Sequence, residues 1–195
     1  MRIKIRDSRD YYLTSDLHFY HGNVIKFSDR PFRDVTHMNE SLIDNWNSVV
    51  GENDIVFNVG DMAFASEMKT VDLFYKLNGS QYFIYGNHDN QIRKTKKKRE
   101  LMDSGKVLGF YDYLEVDYNQ RAFLCLFHYA MRVWNRHHYG SLHCFGHSHG
   151  SLPGYGRSVD VGVDSTELNT NYAPIHIERV IDFLLAKQPS KVDHH

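Results

Sequence analysis

Between Tyr11 and Tyr85 the chain alternates short runs rich in aromatic and β-branched residues with amphipathic stretches, and each short run closes on a Gly- or Asp-marked loop. Strand, helix, strand, helix, strand is the order that most constrains the fold. It predicts parallel strands joined by right-handed crossovers, with functional groups at the carboxyl ends of the strands. The strands are read at Tyr11 to Ser15, Asp54 to Val59 and Gln81 to Tyr85. The first helix is expected over about Thr36 to Val50, with Met38, Leu42, Trp46 and Val49 on one apolar stripe and Gly51 ending it. The second is expected over about Ser66 to Leu77, with Val71, Phe74 and Tyr75 on its apolar face and a stop at Asn78-Gly79.

A further strand, Ile3 to Arg6, precedes this unit across the turn Asp7-Ser8-Arg9-Asp10. Beyond Gly105 the helices drop out. Tyr111 to Tyr118 and Arg121 to Phe127 read as two strands joined at Asn119-Gln120, followed by short strands at Ser141 to Phe145 and Val159 to Val163. A last helix near Ile177 to Leu185 carries Ile177, Val180, Ile181 and Leu184 on one stripe. No repeat or linker divides the 195 residues, so one α/β domain (α+β in some schemes) with two sheets is expected over residues 1–191. Residues 192–195, Val-Asp-His-His, read as the start of an expression tag.

The strand ends carry the chemistry. In order they supply Asp16 and His18, then Asp61, then Asn87 and His88, then His128, then His147 and His149. Asp16 and His18, at i and i+2 of extended chain, can aim at one point. Imidazole, carboxylate and amide oxygen without thiolate suit Mn, Fe or Zn. The groups exceed the need of one ion, whereas two ions sharing a carboxylate would use them all. Singly, each of these residues reads as a turn former or cap; together they read as a metal site.

In this order, Asp-x-His, Gly-Asp, Gly-Asn-His-Asp, a lone His after a strand and Gly-His-x-His resemble the signature of calcineurin-like metallophosphoesterases, over residues 11 to 164. The block from Asp16 to Ile25 with Arg30-Pro31-Phe32 further resembles a small, uncapped bacterial and phage subgroup. The resemblance implies a sandwich of two mixed β-sheets flanked by α-helices. It implies that Asp16, His18 and His149 hold one divalent ion, with Asp61 bridging to a second that Asn87, His128 and His147 complete. Mn is the expected metal, with Fe, Zn or Ni as alternatives. His88 would assist the leaving group and Asp89 would orient His88. The expected activity is hydrolysis of a small phosphate mono- or diester, such as a nucleotide or cyclic nucleotide, by hydroxide generated between the ions.

Other residues stay open between two roles. His21 and Asn23 read equally as contacts near the metals or as loop hydrogen-bonders. Arg30 and Arg33 could grip a phosphate, though surface or loop roles are the commoner use. His137, His138 and His143 read as polar loop residues. The run Arg93 to Arg99 has six basic residues in seven, a solvated segment or a capture surface for an anionic substrate. That run is the one argument for a nuclease, and a formal net charge of −1 weighs against an extended nucleic-acid track. A non-catalytic scaffold, as in the retromer subunit of the same family, is disfavoured because His88 and every ligand position are filled. Cys125 and Cys144 sit in apolar runs and read as buried free thiols, a single disulfide being the weaker reading. The N-terminal run lacks an apolar signal core and nothing is long enough to span a bilayer, so a cytoplasmic protein is expected.

Overall fold

The computed structural model describes residues 1–190, so the expected tag remnant lies outside the described residues. Strands β1 (Arg2–Ile5) and β2 (Tyr11–Thr14) flank the first turn yet join different sheets. There follow α1 (Val24–Phe27), α2 (Val35–Val49), β3 (Ile55–Asn58), α3 (Glu67–Lys76), β4 (Ser80–Ile84), α4 (Asn90–Lys94) and α5 (Lys98–Asp103). The second half runs β5 (Val107–Tyr111), β6 (Tyr113–Tyr118), β7 (Ala122–Phe127), β8 (Leu142–Phe145), β9 (Ser158–Asp160), β10 (Ile175–His176) and α6 (Ile177–Ala186).

Two five-stranded mixed sheets result, ordered β10-β2-β3-β4-β5 and β1-β6-β7-β8-β9. Strands β2 to β5 are parallel and β10 runs antiparallel to β2. In the second sheet only the β6–β7 hairpin is antiparallel. Side chains alternate faces along β3. Ile55 and Phe57 enter a core shared with Leu114, Leu124 and Leu142 of the other sheet, whereas Val56 joins Met38, Leu42 and Trp46 of α2. The sheets thus face each other across one core, and helices cover the outer face of the first sheet. On the inner face Tyr11, Phe57 and Tyr82 stack across neighbouring strands, with ring centroids 5.9 and 5.4 Å apart.

Helix α2 starts where the Asp34 carboxylate accepts the His37 N–H at 2.9 Å. Its stripe holds at Met38, Leu42 and Trp46, but Val49 is 39% exposed and Val50 is buried instead. The helix ends at Val49, and extended backbone at Val50 turns that side chain inward. Likewise Tyr75 is exposed on α3, and Leu73 and Leu77 occupy the buried face expected of it. Strands β5 and β10 escaped the reading of the sequence. The first has a glycine at 109 in its interior, and the second is only two residues long. The cysteines are free and buried. Among the described residues no helix is long and apolar enough to cross a membrane.

Val50→Ala should cost about 1–3 kcal/mol and Val49→Ala under about 0.5 kcal/mol. Urea unfolding of the two variants checks the pair, and equal losses would contradict the observed helix end.

Candidate metal centre

The carboxyl ends of β2, β3, β4, β7, β8 and β9 meet at one mouth of the structure. Here the loops keep the order of the sheet after the strands have ended. Asp16 N–H donates to the Gly60 carbonyl at 2.9 Å, His18 N–H to Asp61 at 3.0 Å and Phe19 N–H to Met62 at 2.9 Å. A bridge between Ser15 and Gly162 ties the first sheet to the second. Asp16, His18, Asp61, His147 and His149 all have left-handed backbone, with φ between 48° and 69°. Each such non-glycine residue costs on the order of 1 kcal/mol, and strain of this kind gathers at functional sites. Gly86 is required for a different reason, since a Cβ there would lie 2.1 Å from Asp61 Oδ1.

The side chains form two groups whose ligand atoms lie within coordinating reach of one another. Asp16, His18 and His149 make one, and Asp61, His128 and His147 the other. Asp61 joins them: its Oδ2 is 3.6 Å from His18 Nε2 and 3.4 Å from His128 Nε2. Asn87 Oδ1 stands 3.0 Å from His128 Nε2, at the second group. The imidazoles are set by their other nitrogens. His128 Nδ1–H donates to the Val59 carbonyl at 2.8 Å, and His149 Nδ1–H to Asp164 Oδ2 at 2.6 Å, so both point Nε2 inward.

Divalent cations fit this donor set. Asp16 Oδ1 and His18 Nε2 are buried, have no hydrogen-bond partner and face each other across 3.9 Å, too far for a hydrogen bond. Burial pushes the Asp16 carboxyl up to about 7, against the pull of His128 and His149. Burial holds the His18 imidazole down at about 3, hence neutral and able to ligate. For His128 burial works against protonation, but the Asp61 and Asp16 carboxylates outweigh it and raise the group to about 9. A proton is the smallest cation that this acidic pocket attracts, and a divalent ion answers the same field more fully.

His88 lies at the edge of the pair, its Nε2 4.0 Å from Asp61 Oδ2 and its side chain 39% exposed. It lines a 670 Å³ cavity together with His18, His147 and His149. Asp89 departs from the expected role. Its carboxylate does not reach His88; it accepts the N–H groups of Gly86 at 2.7 Å, Asp61 at 2.8 Å and Met62 at 3.0 Å. Asp89 therefore binds the β3 loop to the β4 loop and places His88 through the backbone.

Arg30 is no phosphate grip. Its guanidinium is buried and fully engaged: Nε and Nη2 donate to Asp164 at 2.8 and 2.7 Å, Nη2 to the Asp16 carbonyl at 2.7 Å and Nη1 to the Leu17 carbonyl at 2.9 Å. Arg33 is exposed, lines no part of the cavity, and its N–H donates to His37 Nδ1. Asn23 is exposed at the start of α1 and likewise absent from the lining. His21 does reach the cluster, with Nδ1 3.3 Å from His18 Nδ1. His143 is a core strand residue rather than a loop one: its Nδ1–H donates to the Cys125 carbonyl, and burial pushes it down to about 4. His137 is buried in a 3₁₀ turn with Nε2 2.8 Å from Ser190 Oγ, and His138 is exposed beside it.

Half of the basic run is paired locally. Arg93 pairs with Asp112 at 2.7 Å and lies over the Tyr85 ring, Lys97 pairs with Glu100 and Arg99 with Asp103. Two supporting carboxylates were missed by the sequence reading, Asp164 and Asp160. The latter accepts Ser148 O–H and the N–H groups of Gly150 and Gly162. Their signal was available: Asp160 and Asp164 lie in and just after the run Val159 to Val163 expected as a strand, and the strand β9 itself ends at Asp160, so both sit at a strand end.

No family model matches the chain. Over 83 residues, 42% of this chain and 47% of the relative, it is 48% identical to an uncharacterized protein of Methanocaldococcus jannaschii. The match thus takes in about half of that relative's length. Among solved structures it is similar to the crystal structure of a protein of unknown function from Aquifex aeolicus. The TM-score is 0.65 and the identity 22%, over 91% of this chain and 100% of that one. That likeness concerns the fold alone, which is mixed α/β with two mixed sheets.

Arg30→Met leaves the buried Asp164 carboxylate with His149 as its remaining partner and takes a donor from the Asp16 and Leu17 carbonyls, and should cost about 3–5 kcal/mol. A substrate-gripping Arg30 would instead leave stability near wild type, and thermal unfolding of the purified variant separates the two.

Proposed function

We propose that this chain is a metal-dependent phosphoesterase that hydrolyses a small phosphate mono- or diester. The observation that carries the reading is the single Asp61 carboxylate set between two ligand groups, 3.6 Å from His18 Nε2 and 3.4 Å from His128 Nε2. Asp16, His18 and His149 would hold one divalent ion; Asn87, His128 and His147 would hold another, and Asp61 would be shared. Oxygen and imidazole donors without sulfur favour Mn²⁺, with Fe, Zn or Ni able to take the same set. Such a pair of ions supplies Lewis acidity toward phosphoryl oxygens and makes water a nucleophile near neutral pH.

The rest of the work falls to the chain itself. His88 lines the cavity beside Asp61, where it would assist the leaving-group oxygen. Asp89 fixes that position by gripping the backbone on either side of the gap between Asp61 and Gly86. The Asp61 side chain is anchored in turn, because the His88 N–H donates to its Oδ1 at 2.8 Å. His21 supports the His18 ring from outside the ligand set. Two mixed sheets over a shared core, with these loops at one mouth, support the calcineurin-like metallophosphoesterase resemblance. A formal net charge of −1 favours a small substrate over an extended nucleic-acid track.

Protein loaded with Mn²⁺ should turn over simple phosphate esters and lose that turnover on chelation. His88→Ala should lower kcat by roughly 10²–10⁴-fold while bound metal, read by elemental analysis, stays at the wild-type level. Asp61→Ala should lower both metal content and turnover. Unchanged turnover in both variants would sink the assignment.

A further inference from the structure

Phe64 follows directly on the ligand-bearing β3 loop, and nothing about its setting is loose. The Phe19–Ala63 bridge and the Phe64 N–H, which donates to the Phe19 carbonyl at 2.8 Å, fix its backbone. Yet the side chain is 50% exposed. Its ring stacks on His21 with centroids 4.5 Å apart at 17°, and lies 5.1 Å from His88. A second cavity of about 180 Å³ opens here, lined by Ala63, Phe64, Ala65, His88, Asn90 and Gln91.

His88 therefore lines both this cavity and the larger one over the ligand groups. A side chain that gives a proton to the leaving oxygen must lie beside the bond that joins the phosphoryl group to the leaving group, so the two halves of the ester extend to either side of it. The phosphoryl group belongs on the ligand side of His88, so the smaller cavity is where the leaving group goes. Its lining is an aromatic ring and two alanine methyls, with two amides on the first turn of α4. Apart from His88 it offers no ionisable side chain, which disfavours a leaving group bearing a second phosphate or a carboxylate. A ring to stack on, and amides that both donate and accept, are the means by which a single unpaired base is held. Resting on the phosphoesterase reading, we infer that the cavity beside Phe64 receives a nucleobase, and that the substrate is a phosphate ester of a nucleoside.

The test compares Mn²⁺-loaded wild type, Phe64→Ala and Phe64→Tyr on adenosine monophosphate, phenyl phosphate and glycerol phosphate. Alongside, adenosine is titrated calorimetrically into the same proteins without metal. Wild type should prefer the nucleotide to both other esters. Phe64→Ala should lower the nucleotide-to-glycerol ratio of kcat/KM about tenfold and weaken adenosine binding similarly, with Phe64→Tyr restoring both. Hydrolysis with a ratio that Phe64→Ala leaves unchanged overturns the subsite and leaves the phosphoesterase reading intact. Equal preference for phenyl phosphate and nucleotide also overturns it, in favour of a plain aryl pocket. If none of these esters is hydrolysed the monoesterase form of the reading fails, and the titration decides the nucleobase site alone. Adenosine binding that Phe64→Ala weakens upholds the nucleobase site, and no binding overturns it.

Discussion

Charge buried at the mouth of an apolar sandwich persists only where its hydrogen-bonding atoms are satisfied. That constraint organises the loops here. Asp89 collects three backbone N–H groups, Asp160 collects two and a hydroxyl, and Arg30 divides its donors between Asp164 and two carbonyls. None of these three contributes to the two candidate ligand groups. They hold backbone in place, and the backbone holds the ligands. Asp16 Oδ1 and His18 Nε2 are among the buried atoms left without partners, and they sit in the middle of this network.

Local and global preferences conflict at the same place. Five ligand candidates have left-handed backbone, a conformation that Asp and His tolerate better than most side chains but still disfavour. Elsewhere the chain obeys its propensities: α2 begins on a capping Asp, β3 is apolar on both faces, and α6 buries its whole predicted stripe. Left-handed backbone also occurs in turns elsewhere, as at Asn119, Gln120 and Arg136, but here it falls on five residues of one candidate ligand set, and strain gathered in this way is a mark of functional sites.

The same contrast explains what was legible in the sequence. Periodicity gave α2, α3 and α6 and the parallel run β2 to β4, because burial there repeats with the period of the element. It misplaced Val49 and Tyr75, since the last turn of a helix is decided by how the chain leaves it. The ligand candidates could be listed from the strand ends, and the structure brings all seven together. Partnerships among charged side chains could not be read. Arg30 and Asp164 are distant in sequence, so nothing local distinguishes a clamped guanidinium from one that faces solvent. The route by which Asp89 acts on His88 could not be read either, because its carboxylate turns into the β3 loop and places His88 through the backbone.

The bridge between Ser15 and Gly162 has a mechanical meaning. It joins the loop after β2 of one sheet to the loop after β9 of the other, and both candidate ligand groups straddle that seam. Asp16 and His18 leave the first sheet and meet His149 from the second; Asp61 leaves the first and meets His128 and His147 from the second. An ion held by either candidate group would therefore be a rivet between the halves of the sandwich. Any sliding of one sheet over the other would pull these side chains out of register, so the rigidity of the apolar core sets the tolerance to which they are placed.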